Sequence, residues 1–224
     1  MDRLPHEAAD AHNGSMREPL LPLFPLSLVL LPSTPLPLHI FEERYKEMIE
    51  EAVENQSEFG VVLLMPQGLA QVGCSARITG VLGRYEDGRL NIQTEGRHRF
   101  EIVSADNSRS FLRAKVRFFD DEPQQAPVPP ELFERVLRGY YALRTLDSNL
   151  PELHLNDDQL SFQFGQAADD HGFRQRLLQS LREVERLELL DSHFAQILPQ
   201  KRHVARIKKT APANGHSKHP PVIQ

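Results

Sequence analysis

Pro35-Leu36-Pro37-Leu38-His39-Ile40-Phe41-Glu42-Glu43-Arg44-Tyr45 is the stretch in which the chain changes its period. Pro35 to His39 reads as a short extended piece. From Phe41 onward, Phe41, Tyr45, Met48, Ile49, Ala52 and Val53 recur at helical spacing, and Glu42, Glu43, Lys46, Glu47, Glu50 and Glu51 fill the opposite face. That pattern predicts an amphipathic helix ending near Asn55. A single helix set this early among extended segments points to an α+β chain.

Upstream, Phe24 to Leu31 is an apolar run suited to a buried strand, closed by Pro32-Ser33-Thr34-Pro35. Residues 1–19 are polar, have no apolar period and read as a flexible leader. Downstream, Phe59 to Met65 predicts a second buried strand ended by Pro66-Gln67-Gly68. Ala76-Arg77-Ile78-Thr79 and Val81 to Tyr85 follow as extended pieces, and Asp87-Gly88 marks a tight hairpin, since glycine accepts positive φ without penalty. Leu90, Ile92 and Thr94 alternate with polar neighbours; Gly96 is read as separating them from Phe100 to Val103, and Phe111 to Phe119 is the last strand. Five or six short strands with one helix inserted predict a small closed or nearly closed barrel over residues 20–121.

Residues 122–130, with four prolines, form a stiff linker. Residues 131–199 are helical by period. Leu132, Phe133, Val136, Leu137, Tyr140 and Leu143 make one stripe; Leu160, Phe164, Ala167 and Ala168 make a second, with Asp157 or Asp158 as its cap. Phe173, Leu177, Leu178 and Leu181 make a third. Ser180-Leu181-Arg182-Glu183 has capping-box spacing before a fourth stripe of Val184, Leu187, Leu190, Phe194, Ile197 and Leu198. Beyond Pro199, residues 200–224 read as a disordered basic tail.

Of 224 residues, 40% are hydrophobic and 25% charged, as in an ordinary soluble globular protein. The most apolar stretch, Leu20 to Ile40, is interrupted by Pro22, Pro25, Pro32, Pro35 and Pro37, which rules out a membrane-spanning helix there. The lone cysteine, Cys74, excludes an intrachain disulfide and a multi-cysteine zinc site, and fits a cytoplasmic location. The net charge of −5 conceals an uneven distribution, because residues 200–224 carry six Lys/Arg and no acid while the remainder is acidic. An acidic body argues against nucleic acid as its ligand and leaves only the basic tail for such contacts.

The chain contains no G-x-x-x-x-G-K-[ST], H-E-x-x-H, C-x-x-C or G-x-S-x-G. Cys74, in Val72-Gly73-Cys74-Ser75-Ala76, reads as a small packed hydrophobe and not as a nucleophile. Asp169-Asp170-His171 has metal-like composition, but adjacent residues point in different directions, so it reads as a solvated loop before the third helix. No catalytic residue, metal or cofactor is expected.

Several residues carry a resemblance to a family. Leu23-Phe24-Pro25-Leu26, Leu30-Leu31-Pro32 and Pro37-Leu38-His39-Ile40-Phe41-Glu42-Glu43-Arg44-Tyr45 look like the opening of the Lon substrate-binding domain. Phe59-Gly60-Val61, Val72-Gly73 with Ala76-Arg77-Ile78, Asp87-Gly88-Arg89-Leu90 and Gly96-Arg97-His98-Arg99-Phe100 resemble its later strands, in order. The likeness spans roughly residues 20–199 and departs from the family at Ser33, where Gly is usual, and at Cys74, where Thr is common. It implies a PUA-like β-barrel followed by a helical bundle, in a stand-alone form without ATPase or protease modules. The implied function is non-catalytic recognition of proteins or unfolded peptides, as an adaptor in quality control or regulated proteolysis. Candidate contacts are Pro32, Pro37, His39, Phe41, Arg44 and Tyr45, with Glu95 and Arg97 on a neighbouring strand. For Phe24, Phe41 and Tyr45 core packing is the favoured alternative; for Arg44 it is a helix-start ion pair. RNA binding, known among PUA-like barrels, is the second reading, and a peptidase the third.

Overall fold

The computed structural model describes residues 20–123, 126–155 and 159–210. Seven strands come first, β1 (Leu21–Leu26), β2 (Pro35–Ile40), β3 (Phe59–Met65), β4 (Gly68–Leu69), β5 (Val72–Arg84), β6 (Leu90–Asp106) and β7 (Arg113–Phe119), with helix α1 (Glu43–Glu54) between β2 and β3. Helices α2 (Pro130–Leu146), α3 (Leu160–Phe164), α4 (His171–Gln179) and α5 (Glu183–Thr210) follow, and α3 runs on into a 3₁₀ turn. No helix among the described residues is long and apolar enough to cross a membrane.

The sheet runs β1-β7-β6-β5-β3-β4, and β1 also pairs with β3, so the path returns to its start. β1 manages this by pairing antiparallel with β7 through Leu21 and Pro22, and parallel with β3 from Leu23 to Leu26. β2 lies along the first half of β6, with Pro35 opposite Glu95 and Ile40 opposite Leu90. Leu23, Phe59, Val62, Ile92 and Phe100 are fully buried inside, and α1 adds Met48 and Ile49. The Phe24 ring meets that of Tyr45 at 4.2 Å between centroids, tilted by 41°, and this contact anchors the first turn of α1.

The β5–β6 hairpin forms where Asp87-Gly88 predicts it, with Gly88 at φ +80°. Three sequence expectations are corrected in this half. The strand expected over Phe24–Leu31 ends at Leu26; Val29, Leu30 and Leu31 are buried in irregular backbone. Gly96 does not separate two strands: β6 is continuous through it. A Cβ at Gly96 would stand 2.1 Å from the Leu31 carbonyl oxygen. The loop rides directly on the strand, with Ser33 N–H donating to Gly96 O and Gly96 N–H to Thr34 O, each at 2.9 Å. Ser33 itself takes φ 56°, the conformation for which glycine would be the usual residue. Phe41 is the third correction. It precedes α1 and is 60% exposed, so it is not a core residue.

The helices build a second core from Val136, Tyr140, Phe164, Leu177, Leu187, Leu190 and Phe194. Pro130 begins α2, where its missing N–H is harmless. Asp170, read from sequence as loop, is the N-cap of α4 and accepts from Phe173 N–H at 2.6 Å. The α3 N-cap is Gln159, and Asp157 and Asp158 lie outside the described residues. The capping box expected at Ser180–Glu183 does not form, because Glu183 turns inward to receive Ser161 N–H at 2.9 Å and Ser161 Oγ at 2.6 Å. Glu183 thereby caps α3 instead of its own helix.

The tail expectation also changes. α5 passes through Pro199 and continues to Thr210. The carbonyl left without a donor by Pro199, that of Ala195, belongs to an exposed residue, so water can satisfy it. Lys201 ties the continuation to Asp169 at 2.5 Å. Residues 1–19, part of the 122–130 linker and 211–224 lie outside the described residues.

Sheet and helices meet at a buried ionic seam. Arg99 of β6 donates to the carbonyls of Leu178 (3.2 Å) and Ser180 (2.5 Å) and to Asp121 (2.5 Å). Arg186 of α5 also bonds Asp121, and reaches Glu183 (2.6 Å) and Ser161 Oγ (2.7 Å). Both guanidinium groups lie over Phe162, Arg186 at 4.3 Å and Arg99 at 5.3 Å. Burial pulls the Arg99 pKa down. At Arg186 burial acts the same way, but the bonds to Asp121 and the charge of Glu183 outweigh it, and the pKa rises.

Candidate functional site

Where β2 ends and α1 begins, the chain leaves a groove of about 590 Å³. Phe24, Ile40 and Tyr45 form its buried floor. Its rims are unlike the floor. On one side stands Phe41, left outside because α1 starts two residues later. On the other stands Leu64, 52% exposed. Leu64 is the first exposed residue of β3 after five buried ones, where the strand reaches a tight turn: Leu64 pairs with Leu69 and Met65 with Gly68, whose φ of +124° permits the reversal.

Charge is confined to one end. Arg44 pairs with Glu42 at 2.8 Å, the helix-start ion pair, and its guanidinium also covers the Tyr45 ring at 4.6 Å. Burial, before all else, raises the Tyr45 pKa. Behind the groove, Arg109 bonds Glu51 (2.8 Å) and Glu47 (2.5 Å), while Ser110 donates to Glu47. Those bonds fasten the β6–β7 loop, including the wall residues Asn107 and Leu112, to α1. The Ser110 hydrogen bond, then that of Arg109, holds Glu47 below the usual carboxylate range.

Beyond Phe41 the surface continues as a ladder of rings and amides. His39 stacks on Phe41 with 6.0 Å between centroids, its Nδ1 lies 2.6 Å from Asn91 Oδ1, and Asn91 Nδ2 donates to Tyr85 Oη at 3.0 Å. Arg89 covers the Tyr85 ring at 5.0 Å. Exposed aromatics held rigid beside arginine are the composition of a protein-binding hot spot.

The structure thus joins four of the sequence candidates, His39, Phe41, Arg44 and Tyr45, and separates the other four. Glu95 lies five residues along β6 from Leu90, about 17 Å at strand rise, and pairs with Arg97 at 3.7 Å. Pro32 is buried in the loop resting on Gly96. Pro37 is exposed on the outer edge of β2. Leu64, Leu69, Asn107, Leu112, Tyr85 and Asn91 were missed by sequence reasoning. None of them carried a signal in the sequence pattern.

Chemically, the groove offers apolar surface and a few fixed polar groups. Cys74 is fully buried, and burial pushes its thiol up to about 12, so it is no nucleophile at neutral pH. Among the described residues no three His, Cys, Asp or Glu side chains are placed to share a metal ion.

The family model described as the ATP-dependent protease La (LON) substrate-binding domain matches residues 20–196. The chain is similar to the crystal structure of a Lon N-terminal domain protein from Xanthomonas campestris, with 27% identity and a TM-score of 0.61, over 77% of this chain and 97% of that one. It is also similar in fold to the N-terminal domain of Mycobacterium avium complex Lon protease, at 16% identity and a TM-score of 0.56, over 79% and 98% of the two chains.

Proposed function

Because the chain belongs to the Lon substrate-binding domain family, we propose that it recognises extended apolar segments of other proteins in the groove between Phe41 and Leu64. The observation carrying this reading is the pair of large apolar side chains exposed over an apolar floor, at 60% and 52%. A side chain with no packing duty toward its own core is available to a partner. His39, Asn91 and Tyr85 extend the contact with fixed polar groups, and the Arg44–Glu42 pair closes one end. The match falls on a substrate-binding domain and not on the protease or ATPase modules of such enzymes, so we place the chain among non-catalytic adaptors for quality control or regulated proteolysis. The closed strand path is our reason for reading the sheet as a PUA-like barrel. A single, buried cysteine suits a reducing cytoplasm.

RNA is the weaker reading. Phosphate binding needs a concentration of free cations, and most sheet-half arginines are paired: Arg44, Arg89, Arg97, Arg99, Arg109, Arg113 and Arg117 each face a carboxylate.

The test is binding of reduced, carboxymethylated α-lactalbumin, a permanently unfolded chain. Phe41→Asp with Leu64→Asp is expected to weaken it by about tenfold or more, the loss of two desolvated anchors. Unchanged affinity in the folded double variant would sink the groove.

A further inference from the structure

The glycines of the sheet half divide by what requires them. A Cβ at Gly60, Gly73 or Gly96 would meet neighbouring atoms at 2.6, 2.5 or 2.1 Å. Gly68 and Gly88 have positive φ. Gly80 and Gly83 have neither reason. A Cβ at Gly80 meets nothing within 4 Å, and one at Gly83 makes only ordinary contact with Asn91. Both lie where the register of β5 against β6 shifts. Glycine in a strand marks a bulge or a place where another backbone can approach closely, and these two lie at bulges with little or nothing beside them.

That half of β5 is also an open edge. β5 pairs with β3 only from Cys74 to Ala76. From Arg77 to Arg84 it is bonded to β6, and no described strand pairs with its other side. The free side borders a groove of about 660 Å³ whose far wall is the end of α1, at Ala52, Val53, Gln56 and Ser57. Another open edge, β2, carries Pro35 and Pro37, residues that cannot donate to an added strand. β5 carries no proline along this edge; its guard is a pair of register shifts, between Ile78 and Gly80 and between Val81 and Gly83. Its bulges twist the edge enough to discourage long flat association, while leaving length for one short strand.

Charge selects the occupant. Arg77 and Arg84 are exposed at the two ends of the edge, and neither is in an ion pair with a described residue. Ile78, Val81 and Leu82 lie between them, with Val81 and Leu82 exposed. A second copy paired antiparallel about the centre would set each Arg77 opposite the other copy's Arg84, and like charges directly opposite are destabilising. An apolar segment with acidic ends meets no such penalty. We propose that the β5 edge from Arg77 to Arg84 accepts an extended, apolar protein segment flanked by acidic residues as an added strand. The proposal rests on the protein-recognition reading above but uses a surface separate from the Phe41–Leu64 groove.

The test is fluorescence anisotropy of the full chain with labelled Glu-Val-Thr-Val-Thr-Val-Glu, the same peptide with Lys at both ends, and an N-methylated Glu-ended version that cannot donate ladder bonds. The wild type is expected to prefer Glu ends by about tenfold and to lose the N-methylated peptide. Arg77→Glu/Arg84→Glu, both exposed positions, is expected to reverse the preference toward Lys ends. Equal affinity for the two ends, or undiminished binding of the N-methylated peptide, overturns strand addition. If Phe41→Asp/Leu64→Asp loses carboxymethylated α-lactalbumin while Arg77→Glu/Arg84→Glu leaves the peptide preference unaltered, the edge fails and the groove stands. If the preference reverses and the groove variant binds normally, the groove fails and the edge stands.

Discussion

At the groove, Phe41 and Leu64 stand in solvent; at the seam, Arg186 and Arg99 are 0% and 3% exposed. Each region reverses the ordinary sorting of side chains, and in opposite senses. The seam buries charge and satisfies it, since Asp121 and Glu183 balance the two arginines and Ser161 joins Glu183 to Arg186. The groove leaves more than half of the Phe41 and Leu64 side chains in solvent. A satisfied buried charge is a structural device that ties two halves together; an unsatisfied exposed hydrophobe is an unfilled contact. On the proposed reading, the seam serves folding and the groove serves binding.

The largest expected effect is at the seam. Arg186→Ala removes the partner of the buried Glu183 and the partly buried Asp121 and is expected to destabilise by about 3–5 kcal/mol, the cost of leaving a buried charge uncompensated. Urea unfolding reads it. A loss near zero would mean that Arg99 alone balances the cluster and that the seam is not what couples sheet to helices.

A smaller effect should appear with pH in the helical core. His193 stacks on Phe173 at 4.0 Å and its Nε2 is buried without a hydrogen-bond partner. Burial lowers its pKa; Asp170 and Asp169 act to raise it and Arg176 to lower it. The folded state therefore disfavours the protonated ring. Above the ordinary value of 6.5 both states hold it neutral and nothing is lost; as pH falls through 6.5 the unfolded chain takes the proton more readily and stability declines toward the depressed folded value. The melting temperature of the wild type is expected to drop between pH 7.5 and 5 by more than that of His193→Phe. An equal drop would show that His193 does not contribute.

The same contrast explains what the sequence disclosed. Apolar period located most helix cores and most strands, because α1 and α2 follow the 3.6-residue rule and Leu90, Ile92 and Thr94 the two-residue rule; Leu181, assigned to the third stripe, lies beyond the end of α4 at Gln179 and is exposed. It failed where a residue's partner is far along the chain. Glu183 looked like a local capping residue and serves Ser161, 22 positions away. Gly96 looked like a strand break and is a contact point for Leu31. The helical run beyond Pro199 was hidden because one proline outweighed the helix formers around it. In the groove, the β2-to-α1 side was legible from His39 to Tyr45. The Leu64 and Asn107 side was not, since only the closed strand path brings it there.

The smallest expected effect is the sharpest test of the comparison. Phe41→Ala and Leu64→Ala remove as much apolar volume as core truncations that ordinarily cost about 2–5 kcal/mol. Here the deleted atoms already face water in the folded state, so little transfer free energy is lost and no cavity is left behind. Each substitution is expected to change stability by less than about 0.5 kcal/mol, while still weakening the binding of an unfolded chain. Floor residues set the contrast: Phe24, 6% exposed and packed against Tyr45, should show the full core penalty on truncation. Chemical denaturation of the two rim variants measures the difference. A loss of core size at Phe41 or Leu64 would make the rim part of the fold, and the groove would then have no free surface to offer a partner.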